Sequence, residues 1–253
     1  MKAKSSIIYR GASLLDGSPI VAIAIVKSGN AKTGNMVQTY ILADNGLSPV
    51  ANSKSGADYS ICGTCPHRGE SLTPAHPDYG KYKQAKGRTC YVVLAQGVTI
   101  VWKHFMKAGY PDATGHAATA EIGRGRMVRI GTYGDGAAVP SYVWDSLLTY
   151  AKGHTAYTHQ TGVGNAVADP NRFMVSADTE QQARDAWLAG SRTFRVISKV
   201  ADVVKGKEIL CPASEEAGRR TTCDTCKLCA GASIAAKSIA IVAHGAGGQA
   251  LRA

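Results

Sequence analysis

Four closely spaced cysteines constrain this chain more than any other feature of its sequence. The last three are spaced C-x2-C-x2-C, with a fourth upstream: Cys211, Cys223, Cys226 and Cys229. This spacing lets one short loop present three thiolates to a metal centre, and Cys211 can complete the set. Four thiolates suit tetrahedral zinc or an iron–sulfur cluster. Two successive C-x2 steps favour a cluster, because zinc ligands more often form two separated C-x2-C pairs. The alternative is that some of these cysteines are core residues or disulfide partners.

The composition is that of a globular protein. Of its 253 residues, 45% are hydrophobic and 19% are charged, which is enough apolar material for a sizeable core. No run of eighteen apolar residues predicts a transmembrane helix, and residues 1–10 do not resemble a signal peptide. The sequence therefore predicts a cytoplasmic protein. In that reducing compartment, clustered cysteines are metal ligands more often than disulfide partners.

The chain is basic along its whole length, with 29 Lys and Arg against 18 Asp and Glu and a net charge of +11. No block of like charges forms a basic tail. A diffuse positive field favours weak, non-specific contact with nucleic acid, but it is equally compatible with an ordinary soluble surface. Both interpretations stay open, and no membrane partner is expected.

The order of patterns predicts a single domain over residues 1–253 with four regions. Residues 1–43 contain three apolar runs that predict strands at 6–9, 19–26 and 36–43. Residues 44–90 form a loop rich in Gly, Pro and Ser that carries three cysteines. Residues 91–205 are predicted to be a β/α core, and residues 206–253 a C-terminal four-cysteine region.

Within the core, helical and extended patterns alternate. Apolar residues at three- and four-residue spacing predict a helix over 91–109. Further helices are predicted after Pro140, with Ser141 as the cap, and after Thr179, with Gln182 completing a capping box. Strands are predicted at 127–130, 155–158, 172–177, 193–197 and 238–243. The alternation predicts an α/β fold with parallel strands. The units are too few for eight, so we expect an incomplete parallel (β/α) barrel or an open α/β sheet.

A second metal centre is predicted in the cysteine loop. Cys62 and Cys65 form a C-x2-C pair, and Cys90 closes the loop where the helical pattern begins. His67 lies two residues after Cys65 and could complete a Cys3His zinc site. The alternative is a cluster held by the three cysteines alone.

Polar residues follow several predicted strands. In parallel α/β folds the carboxyl ends of the strands meet at one edge, where ligands bind. Gly134 and Asp135 follow one strand, His159 follows the next, and Asp178 follows a third. Gly134, Asp135 and His159 are therefore candidate cofactor-binding residues. Asp135 and Asp178 could equally be turn or cap residues, and His159 could be a buried structural histidine.

Two resemblances rest on these residues. The cysteine loop with Cys62, Cys65 and Cys90, followed by a helix and a strand ending in Gly134-Asp135, resembles the radical-SAM partial barrel, although that family's spacing is C-x3-C-x2-C. The resemblance implies an open-site [4Fe–4S] cluster on the three cysteines and S-adenosylmethionine bound near Gly134 and Asp135. It also implies an auxiliary cluster on the four C-terminal cysteines.

The C-terminal half, with its C-P, C-x2-C-x2-C and H-G segments, is similar to phage and plasmid proteins of the gene-product-eighty-eight type. This second resemblance implies an origin in a mobile element and assigns no reaction.

Three hypotheses of function follow. The first is an iron–sulfur enzyme of radical-SAM-like architecture with one open-site cluster and one auxiliary cluster. The second is a basic nucleic-acid-binding protein of a mobile element, stabilised by two zinc sites, Cys62/Cys65/His67/Cys90 and the C-terminal four. The third is an interaction protein in which the metal centres serve stability alone.

Overall fold

The structure is a computed structural model that describes residues 3–162, 168–218 and 221–244. Residues 219–220 and 245–253 of the predicted four-cysteine region lie outside the described residues. Ten strands are found in the described part: β1 Ser6–Ala12, β2 Pro19–Ile25, β3 Val37–Ala43, β4 Met127–Tyr133, β5 Gly153–Thr155, β6 Tyr157–Thr158, β7 Met174–Ala177, β8 Thr193–Ile197, β9 Glu208–Leu210 and β10 Ser238–Val242. The α-helices of the same residues are α1 Pro49–Ser55, α2 Tyr59–Cys62, α3 Thr99–Met106, α4 His116–Gly123, α5 Ser141–Leu148, α6 Glu180–Leu188 and α7 Cys223–Cys226.

The strands form two open five-stranded sheets. The first has the order β1-β2-β3-β4-β5 and is mixed, because β1, β2 and β3 pair antiparallel whereas β3, β4 and β5 pair parallel. The second has the order β6-β7-β8-β10-β9 and is parallel throughout. The predicted α/β class with parallel strands is confirmed. Neither sheet closes into a barrel within the described residues.

A single segment joins the two sheets. Strands β5 and β6 are separated only by Ala156, whose amide donates to Cys229 O (3.0 Å) and whose carbonyl accepts from Met174 N (3.0 Å). The parallel strands β4 and β5 of the first sheet are therefore followed without a break by those of the second. As a result, the carboxyl ends of strands from both sheets come together.

Most of the hydrophobic core lies on the first sheet. Strands β2 and β3 are buried along almost their whole length, as expected for internal strands covered on both faces. Trp144 of α5 is 1% exposed and packs in this core, and its indole N–H donates to Gly136 O at 2.9 Å. The buried N-terminal strands thus form the part of the first sheet against which β4 pairs, through β3.

The second sheet has two different faces. Along β8 and β10 the side chains alternate, as they must in a strand. Phe194 and Ile239 pack on one face with Cys211 and Cys229, whereas Ile197 and Ala240 pack in a separate cluster on the other. The face that carries the cysteines is the one that lines the candidate site.

Several predicted boundaries need correction. The helix predicted over 91–109 is wrong in its first part: one π-helical turn spans Leu94–Val98, and α3 begins only at Thr99. Gln96 has non-helical dihedrals, which break the ladder, and Tyr91 is 56% exposed rather than part of a buried face. Pro140, not Ser141, is the residue at the cap position of α5.

The capping box at α6 is confirmed. Thr179 Oγ1 accepts from Gln182 N, and Gln182 Oε1 accepts from Thr179 N. Helices α1 and α4 and strand β9 were not predicted. The strand predicted over 155–158 is divided at Ala156, because each half belongs to a different sheet.

Arg192 fixes the C-terminal loop onto the second sheet. Its guanidinium donates to four carbonyl oxygens between residues 228 and 237, at 2.6–2.8 Å, and the residue is 7% exposed. These bonds satisfy carbonyl groups of a segment that has little regular structure of its own. Arg192 therefore holds the loop that begins at Cys229.

We predict that Arg192→Met lowers the free energy of unfolding by about 3 kcal/mol, because one buried and three partly buried carbonyls lose their donor. Arg184→Met is the matched control. Arg184 lies on the exposed face of α6 and pairs only with Glu180, so its loss is expected to cost less than about 1 kcal/mol. Urea unfolding of both variants measures the difference, and equal effects would contradict the assignment.

Candidate metal centres around one cavity

A cavity of about 370 Å³ lies at the carboxyl ends of the parallel strands. Residues directly after the strands contribute to its wall: Asp135 after β4, His159 after β6, Asp178 after β7 and Cys211 after β9. All seven cysteines of the chain line the same cavity: Cys62, Cys65, Cys90, Cys211, Cys223, Cys226 and Cys229. The two predicted cysteine sets therefore face one space, although they lie far apart in the sequence.

The three-cysteine set (Cys62, Cys65 and Cys90) is assembled by backbone hydrogen bonds. Cys62 ends α2, and its carbonyl accepts from Cys65 N at 3.1 Å. Cys90 is brought back to the loop because its amide donates to His67 O at 3.1 Å. This local geometry explains how a residue distant in sequence joins the C-x2-C pair.

Gln160 supports this loop from the second sheet. It is fully buried; its Nε2 donates to Cys62 O at 3.0 Å, and its Oε1 accepts from Thr64 N and Thr64 Oγ1. Gly63 has φ +51°, and a Cβ there would lie 2.3 Å from Gln160 Oε1. The C-G-T-C turn thus needs glycine both for its backbone and for the approach of Gln160.

Arg68 holds the other side of the loop. Its guanidinium donates to Asp58 Oδ1 at 2.5 and 3.1 Å and to the carbonyls of Gly63 and Gly56 at 3.0 and 2.9 Å. Burial raises the pKa of Asp58 in spite of these contacts. The loop is therefore fixed by several polar bonds before any ligand is considered.

The four-cysteine set (Cys211, Cys223, Cys226 and Cys229) is built from two segments of the chain. Cys211 follows β9, and its amide donates to Ala240 O at 2.7 Å. Cys223 and Cys226 begin and end α7, and the amide of Cys223 donates to Lys32 O at 3.0 Å. Lys227 then turns the chain with φ +60°, so that Cys229 packs into the apolar face of the second sheet.

Burial raises the pKa of thiols in both sets, Cys62 in one and Cys229 in the other. It raises the pKa of Cys62 well above its ordinary value and the pKa of Cys229 to about 12, with the neighbouring cysteines adding to the effect. Closely spaced buried thiolates repel one another, so they ionise only when a cation compensates. The donors fit a metal centre, which supplies that compensation.

A positive side chain lies beside the four-cysteine set. Arg129 Nη2 donates to Tyr91 Oη at 2.8 Å, while its Nε is buried and has no hydrogen-bond partner among the described residues. Burial lowers the pKa of Arg129, but Tyr91, Tyr157 and Cys223 raise it on balance. An unpartnered donor beside a thiol suits a neighbouring anionic metal–thiolate centre. This observation supports the fit of the four-cysteine set to such a centre.

The distances between the cysteine sulfurs bear on whether one zinc ion could bind them as they stand. A tetrahedral zinc site with Zn–S bonds of about 2.3 Å places its sulfurs about 3.8 Å apart. Within the described residues, neither cysteine set brings three sulfurs within 4.8 Å of one another. A cluster interposes its own iron and sulfide between the thiolates and accepts a wider set. A single zinc ion would therefore need the sulfurs of either set to move closer together.

Both ring nitrogens of His67 are engaged by partners other than the cysteines. Its Nδ1 lies 2.8 Å from Thr89 Oγ1, and its Nε2 lies 2.8 Å from Asp178 Oδ1. His159 Nε2 lies 3.4 Å from the same carboxylate oxygen. Burial lowers the pKa of His159, but hydrogen bonds with Asp178 and Cys65 outweigh it and raise the pKa to about 10. His67, His159 and Asp178 thus form a polar group beside the cysteines.

Gly134 and Asp135 lie at the cavity edge as predicted from their strand. Gly134 has φ +80°, and a Cβ there would lie 2.8 Å from the Cβ of Ile41. The Asp135 carboxylate accepts from Ala137 N, Thr158 Oγ1 and His159 N at 2.9–3.0 Å. Its hydrogen bonds therefore hold the segment that carries His159, and cofactor binding by Gly134, Asp135 and His159 stays a prediction.

Sequence reasoning assigned no specific role to three residues that shape the site. Gln160 and Arg129 carry no pattern of their own, and their roles depend on contacts between distant segments. Asp178 was recognised at a strand end, yet its meeting with His67 depends on the cysteine loop folding over β7. The sequence signal that could have indicated these residues was the polar residue that follows each buried strand.

We predict that Gln160→Ala lowers the free energy of unfolding by about 2 kcal/mol, because Cys62 O and Thr64 N lose a buried partner. It should also lower metal retention by the three-cysteine set. Gln181→Ala is the control, since Gln181 lies exposed on α6 and bonds only Asp185. Urea unfolding and metal content per chain give the two readouts. Variants that behave alike would show that Gln160 does not hold the loop.

Neither a membrane-spanning helix among the described residues nor a similar known protein points to a function for this chain. None of the helices in the described residues is both long and apolar enough to cross a membrane. A scan against models of known protein families, a search of curated proteins and a search of solved structures each find no match to this chain. Its function is therefore argued from the geometry of the site.

Proposed function

We propose that this chain is an iron–sulfur protein in which two metal centres face one ligand chamber. The observation that carries the proposal is that both cysteine sets line the same cavity at the carboxyl ends of the parallel strands. Such edges are where α/β folds bind ligands. Structural metal sites alone would not need to face a common space of about 370 Å³.

The two centres have different roles in this proposal. Cys211, Cys223, Cys226 and Cys229 offer four thiolates and form a closed auxiliary centre. Cys62, Cys65 and Cys90 offer three, and the nearest histidine in sequence, His67, is engaged with Thr89 and Asp178. A centre with three protein ligands keeps one position open for a ligand, and an iron–sulfur cluster there would supply electron transfer and direct coordination.

The remaining wall of the cavity is largely apolar. Phe194 and Val196 of β8 and Ile239 and Ile241 of β10 project into it. These apolar walls lower the local polarity beside the centres, which strengthens electrostatic interactions there. Tyr157 adds a phenol that bonds the Cys229 thiol, and burial raises the pKa of this phenol well above its ordinary value. The chamber thus combines apolar walls with a few polar groups, as ligand sites commonly do.

S-adenosylmethionine as the ligand, and a radical-SAM-like reaction, remain hypotheses that depend on the resemblance in the cysteine loop. The geometry adds one constraint. Because the Asp135 carboxylate is occupied by three internal donors, its contribution is to position His159 rather than to contact a ligand directly. His159 and Asp178 line the cavity beside the three cysteines.

We predict that anaerobically purified protein is brown and contains iron and acid-labile sulfide at both sets. Cys226→Ala and Cys65→Ala should each remove about half of the iron, since each destroys one centre. His67→Ala should leave the iron content nearly unchanged, because His67 is not a ligand of either set. Iron, zinc and sulfide analysis of the four proteins measures this.

Two outcomes of the metal analysis would contradict the proposal. Colourless protein with two zinc ions per chain, one of them lost in His67→Ala, would replace this proposal with the zinc-stabilised nucleic-acid-binding protein. Full metal content in Cys226→Ala with an unchanged melting temperature would exclude the four-cysteine centre. Lys103→Ala, an exposed change on α3 away from both sets, controls for general loss of protein quality.

A further inference from the structure

Three metal-ligating side chains converge beside the three-cysteine set. His67 Nε2 and His159 Nε2 lie 2.8 and 3.4 Å from the same oxygen, Asp178 Oδ1. The three ligand atoms all lie within 4.8 Å of one another, and no other group of three in the described part of the chain does so. The residues come from three segments: the cysteine loop, the end of β6 and the end of β7. Their meeting is therefore a product of the tertiary fold.

Two of the ligand-atom distances, 2.8 and 3.4 Å, are close to those around a small ion. Metal–nitrogen and metal–oxygen bonds of about 2.0–2.2 Å place ligand atoms about 3–3.5 Å apart. The donor set is two imidazoles and one carboxylate, which iron(II), manganese and zinc accept. The side chains of His67, His159 and Asp178 are 18%, 19% and 23% exposed, and all three face the cavity. An ion held by them keeps positions open to that space.

Each ligand is also oriented by a second contact. His67 Nδ1 lies 2.8 Å from Thr89 Oγ1, which fixes the ring so that Nε2 faces Asp178. The His159 backbone amide donates to the Asp135 carboxylate at 2.9 Å. Asp178 N donates to Gln182 Oε1 at 2.7 Å, where α6 begins. Contacts of this kind around histidine and carboxylate ligands are typical of metal sites.

An ion pair without metal is the simpler explanation of one histidine beside Asp178. Two imidazole N–H groups that share one carboxylate oxygen as hydrogen-bond donors are the corresponding metal-free arrangement of both rings, and the Mn²⁺ titration below decides between it and a bound ion. The ring centroids are 5.5 Å apart in an edge-to-face arrangement, so the rings do not stack on each other. A shared cation between the ligand atoms accounts for the convergence.

We propose that His67, His159 and Asp178 bind one divalent transition-metal ion, separate from the cysteine centres, with open positions facing the cavity. The site adjoins the three-cysteine set, because His159 bonds the Cys65 thiol. It uses none of the cysteines as ligands. The cavity would then hold an ion bound by imidazole and carboxylate groups beside the thiolates of the three-cysteine set.

The test uses Mn²⁺ alone, because thiolates select softer metals and the cysteine sets compete poorly for manganese. Binding to the metallated, full-length protein is followed by the loss of the electron paramagnetic resonance signal of free Mn²⁺. We expect one saturable equivalent per chain. Asp178→Asn and His159→Ala should weaken it at least about 10-fold, and Thr89→Val, which removes the partner of His67, should weaken it about 10- to 100-fold.

Asp78→Asn is the matched control. Asp78 is a partly exposed carboxylate paired with Lys81 and Lys86, and its loss should leave Mn²⁺ affinity unchanged. Iron content and the melting temperature are measured on the same samples. Loss of Mn²⁺ affinity with intact iron supports a separate site. The proposal for the cysteine centres fails independently, through the iron content.

No saturable Mn²⁺ binding by the folded wild-type protein would overturn the inference. So would an affinity that all three site substitutions leave unchanged, or one that Asp78→Asn weakens to the same extent. If one variant fails to fold, the other two still decide the outcome, because they alter different segments of the chain.

Discussion

Parallel pairing of strands is the constraint on which the candidate site depends. The run from β4 through β6 and β7 to β8, β10 and β9 directs the carboxyl ends of these strands toward one edge, and the residues after them enter one cavity. Ala156 connects β5 of the first sheet to β6 of the second. Its backbone groups bond Met174 of the second sheet and Cys229 of the C-terminal loop. Without this pairing, the two cysteine sets would lie on unrelated surfaces. The site is therefore a property of the topology as much as of the cysteines.

The cysteine loops cover that edge and are held by buried polar side chains. Arg192 holds the C-terminal loop through four carbonyls, Gln160 holds the C-G-T-C turn, and Arg68 holds its other side. In the loops fixed in this way, burial and the neighbouring cysteines raise the pKa of Cys62 and that of Cys229. A metal centre removes the cost of ionising them, so binding and stability are coupled. This coupling is one reason why we propose metal chemistry for the cavity.

The sequence predicted the α/β class and most strands well, since apolar runs such as 19–26 and 193–197 need only local information. The capping box of α6 was likewise readable, because its two members are three residues apart. The helix over 91–109 was wrong in its first part, where Gln96 interrupts a pattern that otherwise has helical spacing. Short elements such as β9 were missed because they depend on partners far along the chain. The same limit applies to the site. The cysteines could be recognised from spacing, whereas the approach of His67 to Asp178 could not.

The central claim is that two metal centres face one chamber at the ends of the parallel strands. Anomalous X-ray diffraction from crystals of anaerobically prepared protein, recorded on both sides of the iron and zinc absorption edges, tests it most directly. Our account predicts two iron peaks on the walls of the same cavity, one at Cys62, Cys65 and Cys90 and one at Cys211, Cys223, Cys226 and Cys229. Zinc peaks at both cysteine sets, or iron at neither, would contradict it.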